Sequence, residues 1–448
     1  MTSLFWIALA LAPTAPAQGW LAGTGRAAIT PRVSTWMAGY AARTKPSEGK
    51  DHDLWAKALA LRDPGGKTAV LVTIDVCGIG REVSDAVRDA AKARHGLDRD
   101  RIVLACSHTH SGPVVGSNLI TMYRLDDEQK RRVDEYTKAL IGSLGEVVAA
   151  AIETLEPATI SWGTGRADFA VNRRANKEAD VPALRESLGL KGPVDHDVPV
   201  LLVASAEGVK AIVCGYACHG TTLDGHTFSG DYAGYAAIEL ESAHRGAQAM
   251  FVAGCGADQN PIPRRSPELA EAYGTALAAA VERVLEGALR PVDGPLGSAY
   301  EEVPLRFATL PTKAEIEESA KSKDFIVAGR ARSLLGQLDS KGALDPTYPY
   351  PVQAWRLGEL TWIFLGGEVV VDYSLRLKRN LGSSKTWVSA YANDVMAYIP
   401  SVRVLKEGGY EGGGAMLYYG LPAPWAESVE DDVIAAVARQ VREVDPER

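Results

Sequence analysis

The sequence is poor in cysteine, in positive charge and in long apolar runs, and each shortage closes off a class of protein. Five cysteines occur in 448 residues: Cys77, Cys106, Cys214, Cys218 and Cys255. The count is odd and each lies in or at the end of an apolar segment, so buried thiols are expected rather than a disulfide framework. Cys214 and Cys218 have a C-x3-C spacing, but no second pair follows, which argues against a zinc finger. Lysine and arginine number 48 against 56 aspartate and glutamate, a formal net charge of -8. No Lys/Arg stripe interrupts this deficit, so a nucleic-acid partner is not expected. Past the N-terminus no apolar stretch reaches the roughly 18–20 residues that span a bilayer, so no stable membrane span is expected. Internal repeats and low-complexity tracts are lacking. So is a G-x-S-x-G elbow, which argues against a serine hydrolase of that type.

What is present suits an ordinary globular protein, with 46% hydrophobic and 23% charged residues. The length alone suggests two or three domains, although single large α/β units also reach this size. The first residues, Met1-Thr-Ser-Leu-Phe-Trp-Ile-Ala-Leu-Ala-Leu-Ala-Pro, form a short apolar run, and Ala15 and Ala17 follow in an A-x-A arrangement. This reads as a secretory signal over 1–17, with cleavage after Ala17 and a secreted or periplasmic mature chain. A buried first strand or a short membrane anchor is the competing reading.

Strand-like and helical runs then alternate. Strands are expected at 68–75, 101–106, 198–204, 211–217 and 249–253. Helices are expected at 83–94, 126–154, 229–244 and 267–286, with Ser229 or Asp231 as the N-cap of the third. The Pro- and Gly-rich stretch 291–297 is a candidate subdomain boundary. Beyond it come a strand at 299–307, a helix at 312–338, a strand pair around Gly358, and helices at 369–380 and 427–444. Residues 410–419, rich in glycine, read as a loop over the site. The alternation predicts an α/β class with layered mixed β-sheets flanked by helices, in one domain over 18–448.

Three segments carry chemistry. Cys106-Ser-His-Thr-His110-Ser-Gly-Pro113 follows a strand directly, so His108 and His110 fall at its C-terminal end, where α/β proteins hold ligands. In an extended segment the two imidazoles point the same way about 7 Å apart. That spacing suits one metal ligand and one neighbouring catalytic imidazole. Tyr216-Ala-Cys-His219-Gly-Thr-Thr repeats the pattern of a strand running into a Gly turn, and adds a third imidazole; His226 stays unassigned. Ala253-Gly-Cys-Gly-Ala-Asp258-Gln-Asn260-Pro is a strand entering a Gly-rich turn. Such turns present backbone N–H groups and amide side chains to an oxyanion, or merely connect a strand to a helix.

Together with Met37-Ala-Gly-Tyr40, Asn172-Arg173, Ser229-Gly-Asp231, Gly367-Glu368, Ala397-Tyr398-Ile and Tyr410-Glu-Gly, these motifs occur in an order that resembles the catalytic region of the neutral ceramidases. The resemblance runs from about residue 24 to 420. It implies a ceramidase-like catalytic domain with zinc (Zn2+) bound by His108, His219, Glu368 and Tyr398. It also implies a substrate contact at His110, polar pocket positions at Arg173 and Tyr410, and a small-molecule or lipid-like substrate. Spacing alone does not single out Glu368 or Tyr398. Two departures follow from the same comparison: the Gly256–Pro261 turn has no serine where those enzymes carry one, and their C-terminal β-sandwich domain is not expected. The implied activity is cleavage of an amide or ester bond by metal-activated water, with His110 as acid/base or oxyanion partner and Asp258 orienting the water. The alternative is a non-catalytic relative that keeps the metal and only binds.

Overall fold

The computed structural model describes residues 19–445, so the expected signal segment over 1–17 lies outside the described residues. The class is α/β, as the alternation predicts. Strands β1 (Trp20–Ala28), β2 (Trp55–Arg62), β3 (Thr68–Ile74), β4 (Ile102–Cys106), β5 (Glu156–Arg166), β6 (Asp197–Ser205), β7 (Gly208–Tyr216) and β8 (Gln248–Ala253) form one sheet. Their order is β8-β7-β6-β5-β1-β2-β3-β4, and Arg290–Pro291 pairs with β5 as a ninth strand. The outermost pairs, β8–β7 and β3–β4, are parallel and the inner ones antiparallel. β3 and β4 are buried throughout, which is why they read as unbroken apolar runs rather than alternating ones.

Strand twist, accumulated across the sheet, coils it until its two edges approach. Residues 389–392 join them: Ala390 N donates to Ala253 O at the end of β8, and Cys106 N at the end of β4 donates to Tyr391 O. The ends of the two edge strands therefore open on one place.

The chain continues through β9 (Leu296–Arg306), β10 (Thr347–Leu357), β11 (Leu360–Leu365), β12 (Glu368–Val369), β13 (Thr386–Ser389) and β14 (Tyr398–Ile399). A second sheet runs β9-β10-β11-β13, while β12 and β14 form a separate parallel pair. Residues 291–297, the candidate boundary, lie where the chain leaves the first sheet and begins β9. One hydrophobic cluster nonetheless includes residues from Ile29 to Val441.

Helices α1 (Arg81–His95), α2 (Asp127–Glu153), α3 (Asp231–Ala243), α4 (Pro267–Leu285), α5 (Lys313–Ser319), α6 (Phe325–Lys341), α7 (Val371–Leu381) and α8 (Val429–Val444) flank the sheets. α2 lies so close on β1 that a Cβ at Gly23 would stand 2.1 Å from Ala151 O, and one at Gly25 2.4 Å from Val147 O. Glycine is required at both positions.

Two helical expectations are corrected. The single helix over 312–338 is two, because Asp324 caps a second start by accepting from Ile326 N and Val327 N, a competition that short acidic side chains win at helix ends. α3 has Gly230 rather than Ser229 or Asp231 at its N-cap. Asp231 instead takes a left-handed backbone at φ 55° and accepts from Leu223 N and Tyr232 N. All five cysteines are free and buried. Among the described residues no helix is long and apolar enough to cross a membrane.

Candidate metal centre

The coiled sheet delivers His108 and His219 to one point from its opposite edges. His108 follows β4, and His219 follows β7, the neighbour of edge strand β8. A bridge between Thr109 and Gly220 and a bond from His110 N to Gly220 O of 2.9 Å lock the two turns together. The extended reading of the His108–His110 segment is wrong: His108 has φ 59°. The backbone there is left-handed, and the two imidazoles meet with Nε2 atoms 3.1 Å apart instead of standing side by side about 7 Å apart.

β12 and β14 bring the other two expected ligands. Glu368 and Tyr398 are direct partners in that two-residue ladder. Glu368 Oε2 lies 3.1 Å from His108 Nε2 and 3.1 Å from His219 Nε2. Tyr398 Oη is 3.4 Å from His219 Nε2. His108, His219 and Glu368 thus form a buried group able to hold a metal ion. Cys77, His108 and His110 form a second, overlapping one.

The protonation pattern shows what the first group lacks. His108 Nδ1 faces Cys77 O at 2.6 Å and His219 Nδ1 faces Gly256 O at 2.7 Å. A carbonyl only accepts, so both rings carry a hydrogen on Nδ1 and aim Nε2 at Glu368. Two Nε2 atoms and a carboxylate oxygen converge on one buried point, which without a metal ion is balanced by a proton on His108. The electrostatics point the same way. Burial opposes charge on His108, yet Cys77 and Glu368 push it up to about 10. Burial likewise favours a neutral Glu368, but His108 and His219 hold it well below the carboxylate range. The point between them calls for positive charge. Its dimensions fit zinc, because arms of about 2.0–2.1 Å in a tetrahedron leave ligand atoms about 3.3 Å apart.

Side chains around the group fix its parts. Tyr419 Oη donates to Glu368 Oε1, leaving Oε2 for the centre. The Tyr391 ring stacks on His108 with centroids 4.2 Å apart. Arg173 Nη2 donates to Tyr398 Oη at 3.1 Å, Nε to Glu411 at 2.8 Å and Nη1 to Asn260 Oδ1 at 3.2 Å. Sequence reading misses Tyr391 and Tyr419. The only signal for Tyr419 is its place in the glycine-rich segment expected to cover the site.

His110, Arg173, Tyr398 and Tyr410 line a cleft of about 550 Å³. His110 packs edge-on against Tyr40 at 4.9 Å. Burial together with His108 and His219 drives its pKa well below the ordinary value, so the ring is neutral. Tyr410 packs on the Tyr398 ring and is 42% exposed.

Asp258 stands apart from the role expected of it. Its carboxylate accepts from Asn172 Nδ2 at 3.0 Å and from Val371 N, at the start of α7, at 2.9 Å, while its carbonyl accepts from Arg173 N at 2.9 Å. Both oxygens are spent on fixing the turn, and none is turned to the cleft. Asp258 is a positioning residue for Arg173 rather than a group that orients water.

A family profile described as neutral/alkaline non-lysosomal ceramidase, N-terminal, matches residues 20–276, more than half of the chain. The chain belongs to that family. This makes it a ceramidase-family hydrolase of the class that acts on amide bonds. Among curated proteins it is similar to the neutral ceramidase of Pseudomonas aeruginosa, 22% identical over 498 aligned positions covering 94% of this chain and 72% of the relative. It is also similar to neutral ceramidase A of Dictyostelium discoideum, 26% identical over 237 positions, 51% of this chain and 32% of that protein. A crystal structure of the Pseudomonas aeruginosa neutral ceramidase shares the fold, with a TM-score of 0.73 at 22% identity over 95% of this chain and 75% of that one.

Proposed function

We propose that this ceramidase-family protein is an exported zinc-dependent hydrolase that cleaves the amide bond of an N-acyl substrate, with His108, His219, Glu368 and Tyr398 holding the metal. The observation that carries the reading is Glu368 Oε2 set 3.1 Å from the Nε2 atoms of both His108 and His219, a buried donor set suited to a divalent cation. Zinc held by these residues would supply the Lewis acidity that makes water a nucleophile near neutral pH and polarises a carbonyl.

The remaining steps belong to the chain's own groups. His110, neutral and facing the cleft, takes the proton of the attacking water on its imidazole and returns it to the leaving amine nitrogen, which otherwise departs as an unstable anion. Arg173, tied to Glu411 and Asn260, holds the Tyr398 hydroxyl in place. Tyr410 forms the outer wall against which the amide lies.

Two substitutions test the assignment. His219→Ala should lose both zinc and turnover, whereas His110→Ala should keep its zinc and lose turnover by about 10²–10⁴-fold, the usual worth of a general acid/base. Full zinc content in His219→Ala, measured by elemental analysis, would overturn the ligand set.

A further inference from the structure

The cleft walls bear on what flanks the scissile bond, and here the inference rests on the hydrolase reading. Two clusters of ion pairs stand in the lining. Arg174 donates to Glu407 at 3.0 Å and to Glu411 at 2.6 Å. Arg264 donates to Glu178 at 2.8 and 3.0 Å. The larger apolar surfaces in the lining are only Ile262 and the rings of Tyr40, Tyr398 and Tyr410 among the described residues, enough for a short acyl group but not for a long chain. An alkyl chain laid across such walls gains its roughly 0.8 kcal/mol per CH₂ only where it meets apolar surface. Each ionised group it strips of water costs about 1–3 kcal/mol or more. Long chains are therefore disfavoured, and groups that can hydrogen-bond are accepted.

A second observation identifies the anchor for the acyl oxygen. Asn260 is 4% exposed and lines the cleft. Its Oδ1 accepts from Arg173 Nη1 at 3.2 Å and from Thr221 Oγ1 at 3.5 Å. A guanidinium has no acceptor, so the amide cannot be turned over: the carbonyl must face Arg173, and Nδ2 must point the other way. Arg173 in turn touches Tyr398, so this donor is held one residue from the proposed metal ligands. We propose that the cleft takes a small amide with polar, hydroxylated substituents and a short acyl group, and that Asn260 Nδ2 donates to its acyl oxygen.

The test uses the full chain loaded with zinc and N-acetyl, N-hexanoyl and N-hexadecanoyl derivatives of one hydroxylated amine. We expect kcat/KM to be highest for the acetyl compound and to fall about tenfold or more toward the hexadecanoyl one. The reverse order overturns the substrate class and leaves the hydrolase reading standing. No turnover of any member by zinc-loaded protein overturns both. For the anchor, Asn260→Asp keeps an oxygen toward Arg173 and Thr221 but exchanges the donor for an acceptor. A merely structural role would survive it. Loss of the donor should lower kcat by about 10²–10³-fold at unchanged zinc content, as when one oxyanion donor is removed. A rate close to the unsubstituted protein would overturn the anchor. The substrate series needs no variant and decides the class independently.

Discussion

Glu368→Gln distinguishes a metal centre from a buried ion pair, because the two predict opposite effects on the metal-free protein. Glu368 Oε2 sits 3.1 Å from each imidazole Nε2, and both Nδ1 hydrogens are already committed to carbonyls. In the stripped protein the only cation available is a proton on His108. A glutamine amide would set its NH₂ between the two lone pairs, one hydrogen for each, while its oxygen keeps the Tyr419 hydroxyl. Two neutral buried bonds at about 0.5–1.5 kcal/mol each should make the stripped variant more stable than the stripped wild type by about 1–2 kcal/mol. Loss of the carboxylate lets buried His108 return to its neutral form, so no uncompensated charge is left behind. The same change removes the anionic ligand, so zinc affinity should fall by more than the roughly 10–100-fold lost when an outer partner is removed. Urea unfolding after chelation gives the first quantity, and elemental analysis after dialysis against zinc gives the second. A variant that retains one zinc at wild-type affinity refutes the reasoning. So does a stripped variant that loses about 3–5 kcal/mol, the signature of a broken ion pair.

Three further outcomes are expected. Tyr419→Phe frees Glu368 Oε1 and should weaken zinc binding about 10–100-fold in a chelator competition, with the fold intact by circular dichroism. Gly39→Ala puts a Cβ 2.4 Å from His110 Nδ1 at a φ of +94°; the displaced imidazole should cost about 10²-fold in kcat while zinc content is unchanged. Asp394 is fully buried, and burial raises its pKa from 3.8 to about 7, with Tyr348 opposing the shift. A raised folded value means that its contribution is intact below pH 3.8 and is lost as pH rises through about 7. Asp394→Asn should therefore flatten the fall in stability as pH rises from about 4 to about 7, read by urea titration.

The sequence makes the two histidine turns legible because a strand ending in a Gly turn has a local signature. Their meeting does not show locally: it depends on the coiling of a whole sheet and on the left-handed backbone of His108, which an extended reading cannot anticipate. Glu368 and Tyr398 are harder still. The ladder that pairs them is two residues long, too short for any periodicity, and only the family resemblance singles them out. β1 escapes notice because Gly23 and Gly25 look like breakers, when they are the clearance that α2 needs. Asp258 misleads for the opposite reason. A carboxylate in a Gly-rich turn looks like a reagent, and the structure spends it on Asn172 and the start of α7.

The four proposed donors span residues 108 to 398 and come from both ends of the first sheet and from a short two-residue ladder. No shorter fragment carries the set, so a nascent or clipped chain that stops before Tyr398 would lack the complete site. Uptake of zinc by the purified protein would then report that early and late thirds of the polypeptide have been stitched along one seam.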